Sequence, residues 1–146
     1  MSKKHGQGHY IWKDKTSYDG EWKDNKMHGE GDYKWKDGRR YTGSWLNNLM
    51  HGKGKYVWAD GRTYEGEYYS DKKHGHGVYK WTDGRIYEGL WKNGKQHGEG
   101  HFTQPDGTKQ KGVWDNGKRI KWIEEQIEKV SQSNRKPQNQ KKVMKK

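Results

Sequence analysis

Eight histidines, a recurring Gly-x-Gly and regularly placed carboxylates are the residues of this sequence whose types could do chemistry. Imidazoles ligate zinc, glycine loops cradle phosphates, and paired carboxylates move protons. Spacing argues against each role. His5, His28, His51, His74 and His97 recur every 23 residues. Equivalent positions of a hairpin repeat lie two strands, roughly 9–10 Å, apart, whereas zinc needs its ligand atoms about 2 Å away. These histidines form a spaced row and are expected to serve the turns. The local pairs His5/His9, His74/His76 and His97/His101 lack a third ligand of the right kind. The glycines fall inside predicted strands, and no Gly-Lys-Ser/Thr follows them, so they are not phosphate loops. Glu21, Glu67 and their equivalents repeat with the lattice, as surface charges do, and nothing breaks that symmetry in a catalytic manner. The expectation is a non-enzymatic chain with no catalytic residue, metal or cofactor.

The elements that position these residues follow from the same period. Tyr-x-Gly-x-aromatic occurs at Tyr18, Tyr41, Tyr64 and Tyr87, with a degraded copy at Gln110-Lys111-Gly112-Val113-Trp114. Asp-Gly pairs begin at Asp37, Asp60, Asp83 and Asp106. Each unit reads as two short strands, about 18–23 and 28–35. Asp24-Asn25-Lys26-Met27 turns the chain within a unit and Asp37-Gly38 turns it into the next. Asp-Gly is expected to make the primed turns that hairpins favour. The predicted fold is all-β: an elongated, curved, single-layer antiparallel meander of stacked hairpins. About ten strands would extend it roughly 45 Å.

Alternation sorts the faces. Tyr18, Gly20 and Trp22 share one side of their strand, as do Gly29, Gly31, Tyr33 and Trp35 of theirs. Rings of one strand are expected to lie over glycines of the next, so that one layer buries its own aromatics. The other side carries Glu21, His28, Glu30, Asp32 and Lys34, a solvated face.

Composition agrees. Apolar residues make up only 26% of the 146, and nine Trp and ten Tyr stand among them. That leaves too few aliphatics for a two-layer core. Mean hydropathy of −1.67 would suggest disorder, but disordered chains are poor in aromatics. There is no cysteine, no run of eighteen apolar residues and no apolar stretch behind Met1-Ser2-Lys3-Lys4. A reducing compartment is therefore expected, without a spanning segment or a standard secretory leader. The formal charge is +12, and residues 131–146 hold Arg135 and five lysines without an acid. Such a field attracts acidic protein surfaces such as tubulin, anionic lipid or nucleic acid.

Tyr-x-Gly-x-Trp followed by His-Gly-x-Gly and Asp-Gly resembles the MORN repeat (membrane occupation and recognition nexus), over about residues 5–117. The resemblance implies an elongated curved sheet that acts as a scaffold, and in some members binds a partner peptide or helix along an aromatic groove. It also implies a setting in cilia and flagella, radial-spoke heads included, or in another cytoskeletal assembly. An older proposal for the family is phosphoinositide binding. The ends depart from the pattern: Lys15 stands where a turn glycine would, Gln104 where a Trp would, and Ile120-Lys121 where His-Gly would.

Three regions are expected: the array (1–117), an amphipathic helix (118–131) and a basic tail (132–146). Ile120, Ile123, Ile127 and Val130 give the helix its apolar stripe. It would cap the last open edge or dock on a neighbour. The candidate partner-binding face is Tyr33, Trp35, Trp45, Tyr56, Trp58, Tyr79, Trp81 and Trp91, which together exceed what a soluble surface usually exposes. Arg39, Arg62 and Arg85 would line one basic edge. The expected function is a cytoplasmic scaffold docking a helix or extended segment, most fittingly in an axoneme. The alternative is a membrane adaptor holding anionic lipid by that edge. Nucleic acid is disfavoured, because the basic residues flank the rings rather than mixing with them.

Overall fold

The computed structural model describes residues 4–123 and the backbone of Glu128–Lys129. Eleven strands follow one another in a single open sheet, each pairing antiparallel with the next. They are β1 (Gly6–Ile11), β2 (Ser17–Lys23), β3 (Lys26–Lys34), β4 (Arg40–Leu46), β5 (Leu49–Val57), β6 (Thr63–Tyr69), β7 (Lys72–Lys80), β8 (Ile86–Lys92), β9 (Lys95–Thr103), β10 (Thr108–Asp115) and β11 (Lys118–Trp122). A two-residue β12 (Glu128–Lys129) pairs with β10.

The turns within units hold two residues, not four. Both central residues have positive φ, as at Asp24 (49°) and Asn25 (69°), Asn47 (49°) and Asn48 (71°), and Ser70 (47°) and Asp71 (71°). These are the primed turns. The Asp-Gly loops between units are of another kind: only the glycine is left-handed, as at Gly38 (φ 101°), and its N–H donates to Trp35 O at 3.2 Å. The Asp37 side chain closes that loop by accepting from the Arg39 backbone N–H at 3.1 Å. Asn and Asp tolerate left-handed backbone because their short side chains find local partners, so the Asn-rich turns adopt the primed form without glycine. In the first unit Lys15 takes φ 80° with the same hydrogen-bond pattern. A lysine there carries a steric cost that glycine lacks. Lys15→Gly is expected to stabilise the protein by roughly 0.5–1 kcal/mol, read as a rise in the urea midpoint.

Each primed turn also reaches back to the preceding unit. Asn48 N–H donates to Met27 O (3.0 Å), and the Asn48 side-chain oxygen accepts from Met27 N–H (2.8 Å). Asp71 makes the same reciprocal pair with Met50, at 2.8 and 2.7 Å. The histidines add a second brace: Nδ1 of His51 accepts from Ser70 N–H at 3.2 Å, and Nδ1 of His97 from Asn116 N–H at 3.3 Å. His5, His51 and His97 thus take the turn role expected of that row, whereas Nδ1 of His28 is buried with no hydrogen-bond partner among the described residues. Among the described residues no group of three potential ligands could hold a metal ion. At Gly94 the backbone half of the pair persists (2.9 Å to Lys73 O), but there is no side chain to complete it. A Cβ at Gly94 would meet nothing within 4 Å, and Asn48 and Asp71 accept a φ of 71° at the equivalent place. Against the left-handed cost at φ 85°, the added bond is expected to leave Gly94→Asn more stable by at most about 0.5 kcal/mol, measurable by thermal unfolding.

Beyond Gly117 the structure differs from expectation. Lys118–Trp122 form a strand against β10, not the opening turns of a helix. The reason is local: Asn116 (φ 50°) and Gly117 (φ 90°) make another primed turn, which sends the chain straight back along β10. Ile120, expected on the helix's apolar stripe, is 59% exposed. Trp122 instead packs edge-on against Trp114 at 6.0 Å. Ile127, Val130 and the tail 132–146 lie outside the described residues.

A candidate docking face built from two aromatic files

The register sets a file of glycines straight across the sheet. Gly8, Gly20, Gly31, Gly43, Gly54, Gly66, Gly77, Gly89, Gly100 and Gly112 face one another pair by pair from β1 to β10. Over it lie Tyr18, Tyr41, Tyr64 and Tyr87, all fully buried. Their hydroxyls donate to Glu21 O, Ser44 O, Glu67 O and Leu90 O at 2.9–3.0 Å. The second glycine of four His-Gly-x-Gly motifs (Gly31, Gly54, Gly77 and Gly100) makes room for such a ring, while Gly8 of the N-terminal motif lies against Trp22. The first glycine serves differently: Gly29 (φ 67°) and Gly75 (φ 68°) sit where the register shifts by a bulge.

The seated tyrosines join Trp22, Trp45, Tyr68, Trp91 and Trp114 in an unbroken edge-to-face zigzag, with centroids 4.8–5.7 Å apart. Contacts of this kind add about 0.5–1.5 kcal/mol each beyond area burial. Indole N–H groups of Trp45 and Trp91 donate to Gly31 O and Gly77 O, both at 3.2 Å. This inner file is the core of a sheet that has no second layer among the described residues. Trp45 is only 5% exposed and Trp91 7%, so these two of the eight expected docking residues hold the fold together and offer little to a partner.

A second file runs beside the first. Trp12, Tyr33, Trp35, Tyr56, Trp58, Tyr79, Trp81 and Phe102 form a ribbon of ring contacts at 4.5–6.0 Å, tilted except for the edge-on Trp81–Phe102 pair. Tyr56 and Tyr79 are buried in it, whereas Tyr33, Trp35, Trp58 and Trp81 are half-buried. Sequence reasoning left out Trp12, although it stands 23 residues before Trp35, and Phe102, which pairs with Tyr87 across the ladder. Each end of the ribbon has a hollow: one of about 620 Å³ beside Trp12, Thr16 and Tyr33, another of about 320 Å³ among Trp81, Phe102, Gln104 and Trp122.

The three arginines are held against this ribbon. Arg39, Arg62 and Arg85 lie over Trp35, Trp58 and Trp81 at 4.8–5.0 Å. Their Nε atoms pair with Asp37, Asp60 and Asp83 at 2.8–2.9 Å. Arg39 and Arg62 also donate to the hydroxyls of Tyr56 and Tyr79, at 3.1 and 3.0 Å. The backbone N–H of each arginine, helped by its guanidinium, holds the aspartate below the usual carboxylate range. Because that folded-state value is depressed, the pairing persists at neutral pH and is lost only as pH falls through it. The row is a set of Asp–Arg–Trp clamps, in which each guanidinium is matched by one aspartate. The i, i+2 spacing of Asp37 and Arg39 was the signal for it.

MORN-repeat models match residues 1–17, 18–39, 41–61, 64–84 and 87–109. The chain therefore belongs to the MORN-repeat family, whose repeats generally mediate protein or membrane interaction. A search among curated proteins found none that matches.

Proposed function

We propose that this chain is a non-enzymatic scaffold that docks a segment of a partner protein along the outer aromatic ribbon. The observation carrying this reading is the division of labour between the two files. The inner zigzag already closes the core, yet Trp35, Trp58 and Trp81 stay half-exposed in line, each stiffened by its arginine. Rigid, part-exposed Trp and Arg side chains are what interfaces use as anchors. The setting proposed, by family analogy, is a ciliary or axonemal assembly of the radial-spoke kind, or another cytoskeletal one, in the cytoplasm.

The test is capture from native lysate with the wild-type chain and a Trp35→Ala/Trp58→Ala/Trp81→Ala variant. These positions are chosen over Trp45 because their loss spares the inner file. Loss of specific partners by a variant that still melts cooperatively supports docking; a folded variant that keeps every partner overturns it. A tagged copy absent from cilia and cytoskeleton would remove the proposed setting. Anionic lipid is the weaker reading, since the arginine edge is matched by Asp37, Asp60 and Asp83. Co-sedimentation with phosphoinositide vesicles at low salt would revive it.

A further inference from the structure

One position breaks the repeat inside the aromatic face. Met27, Met50, Lys73 and Gln96 are equivalent, opposite Trp22, Trp45, Tyr68 and Trp91. Lys73 places an ammonium where two other units have a thioether. Nζ lies 5.5 Å from the Trp58 centroid, 5.6 Å from Tyr64 and Trp91, and 5.8 Å from Tyr79, so it bridges the inner and outer files. Burial, with Arg62 nearby, pulls its pKa below the usual lysine value. Among the described residues its ammonium makes no ion pair or hydrogen bond. Ring faces attract the cation, but none of them accepts its three N–H donors in the way a carboxylate does.

The ribbon supplies a length scale. Trp35 and Trp58 each touch Tyr56, at 5.4 and 4.5 Å, so their centroids are at most about 10 Å apart. The same holds for Trp58 and Trp81 through Tyr79, at 5.3 and 4.5 Å. Two strand spacings are about 9.4–9.8 Å. A polyproline-II segment repeats every three residues with a rise of about 9.3 Å, and such segments dock in aromatic-lined grooves. An α-helix repeats its face over two turns, about 10.8 Å, and drifts out of step by about 1 Å per unit.

We infer that the ribbon takes a polyproline-II segment whose every third residue falls between successive tryptophans, with an acidic side chain seated on Lys73. This rests on the docking reading above and adds the partner's conformation and charge. Lys4 and Arg119 occupy the equivalent position at the two ends, over Tyr10 and Trp22 and over Trp122. Among Met27, Met50, Lys73 and Gln96 only Lys73 is a cation, so the anchor sets the register of a segment lying on the middle of the ribbon.

The probes are capped peptides of about twelve residues: repeated Pro-Pro-Glu, repeated Pro-Pro-Gln, and a Glu/Ala-rich helix former. Binding is followed by tryptophan fluorescence at near-physiological salt, on the wild-type chain and on Lys73→Met. Methionine is native at the equivalent Met27 and Met50, so this variant is expected to fold, which its thermal melt checks. The expected result is binding of Pro-Pro-Glu about tenfold tighter than Pro-Pro-Gln to wild type, with that preference lost in Lys73→Met. A preference that survives in Lys73→Met overturns the anchor. Equal or tighter binding of the helix former overturns the conformation. If neither proline peptide binds, the inference fails; lysate capture sensitive to the tryptophan variant would then leave docking itself standing.

Discussion

Gly54→Ala is expected to destabilise the array by about 3 kcal/mol or more. Gly54 faces Gly43 and Gly66 in the glycine file, and an added Cβ would enter the hydroxyl and ring of Tyr41. That ring is fully buried and donates to Ser44 O at 3.0 Å. It also meets Trp45 and Tyr68 edge-on at 5.1 and 5.3 Å. It can escape the methyl only by giving up those contacts. Urea unfolding measures the loss, and Tyr41→Ala in the same chain identifies its cause. The double variant should cost clearly less than the sum of the two singles, because the clash has gone. Wild-type stability in Gly54→Ala would mean that the glycine file serves backbone twist rather than ring seating.

A second large effect is expected in alkali. Burial pushes the hydroxyls of Tyr18 and Tyr87 up to about 12 from an ordinary 10, and the charge of Glu21 adds to the rise at Tyr18. Tyr41, Tyr64 and Tyr68 are raised further, also chiefly by burial. The unfolded chain releases these protons near pH 10 while the folded chain still holds them. Stability from this source is therefore complete below pH 10 and drains away between pH 10 and about 12. Each of Tyr18 and Tyr87 contributes about 3 kcal/mol over that window. A urea midpoint followed from pH 8 to 12 should be flat to about 10 and then fall steeply. Tyr18→Phe should blunt the fall, at a cost of about 1 kcal/mol at neutral pH for the hydrogen bond to Glu21 O. A midpoint unchanged through pH 12 would overturn the assignment of these hydroxyls to the interior.

The fold was legible because one period carried turns, strands and faces together. Tyr18 and Gly31 could be placed ring over glycine from alternation alone. What alternation does not carry is position along the strand. Trp45 and Trp58 share a face, yet Trp45 sits within β4 above the glycine file and Trp58 beyond the end of β5, and that offset separates a core ring from an accessible one. The turns were assigned by the strongest dipeptide signal, Asp-Gly, although Asn47-Asn48 proved to be the primed pair. At the C-terminus, isoleucines at helical spacing outweighed Asn116-Gly117, whose geometry had already sent the chain back as a strand. Lys73 looked like one charge among many; its significance depends on four rings from three strands and a loop that only the folded register gathers.

The reciprocal braces between turns have a consequence for how such a molecule can change its length. Asn48 closes on Met27 and Asp71 on Met50 across the same 21-residue separation, while the histidine braces span 19 and the indole bonds 14. Gain or loss of one whole 23-residue unit preserves all three separations at once. Any other insertion within a strand breaks them together. Length in this architecture is thus counted rather than graded: duplication adds one step of about 10 Å and one more tryptophan to the outer file, and intermediate sizes are closed to it.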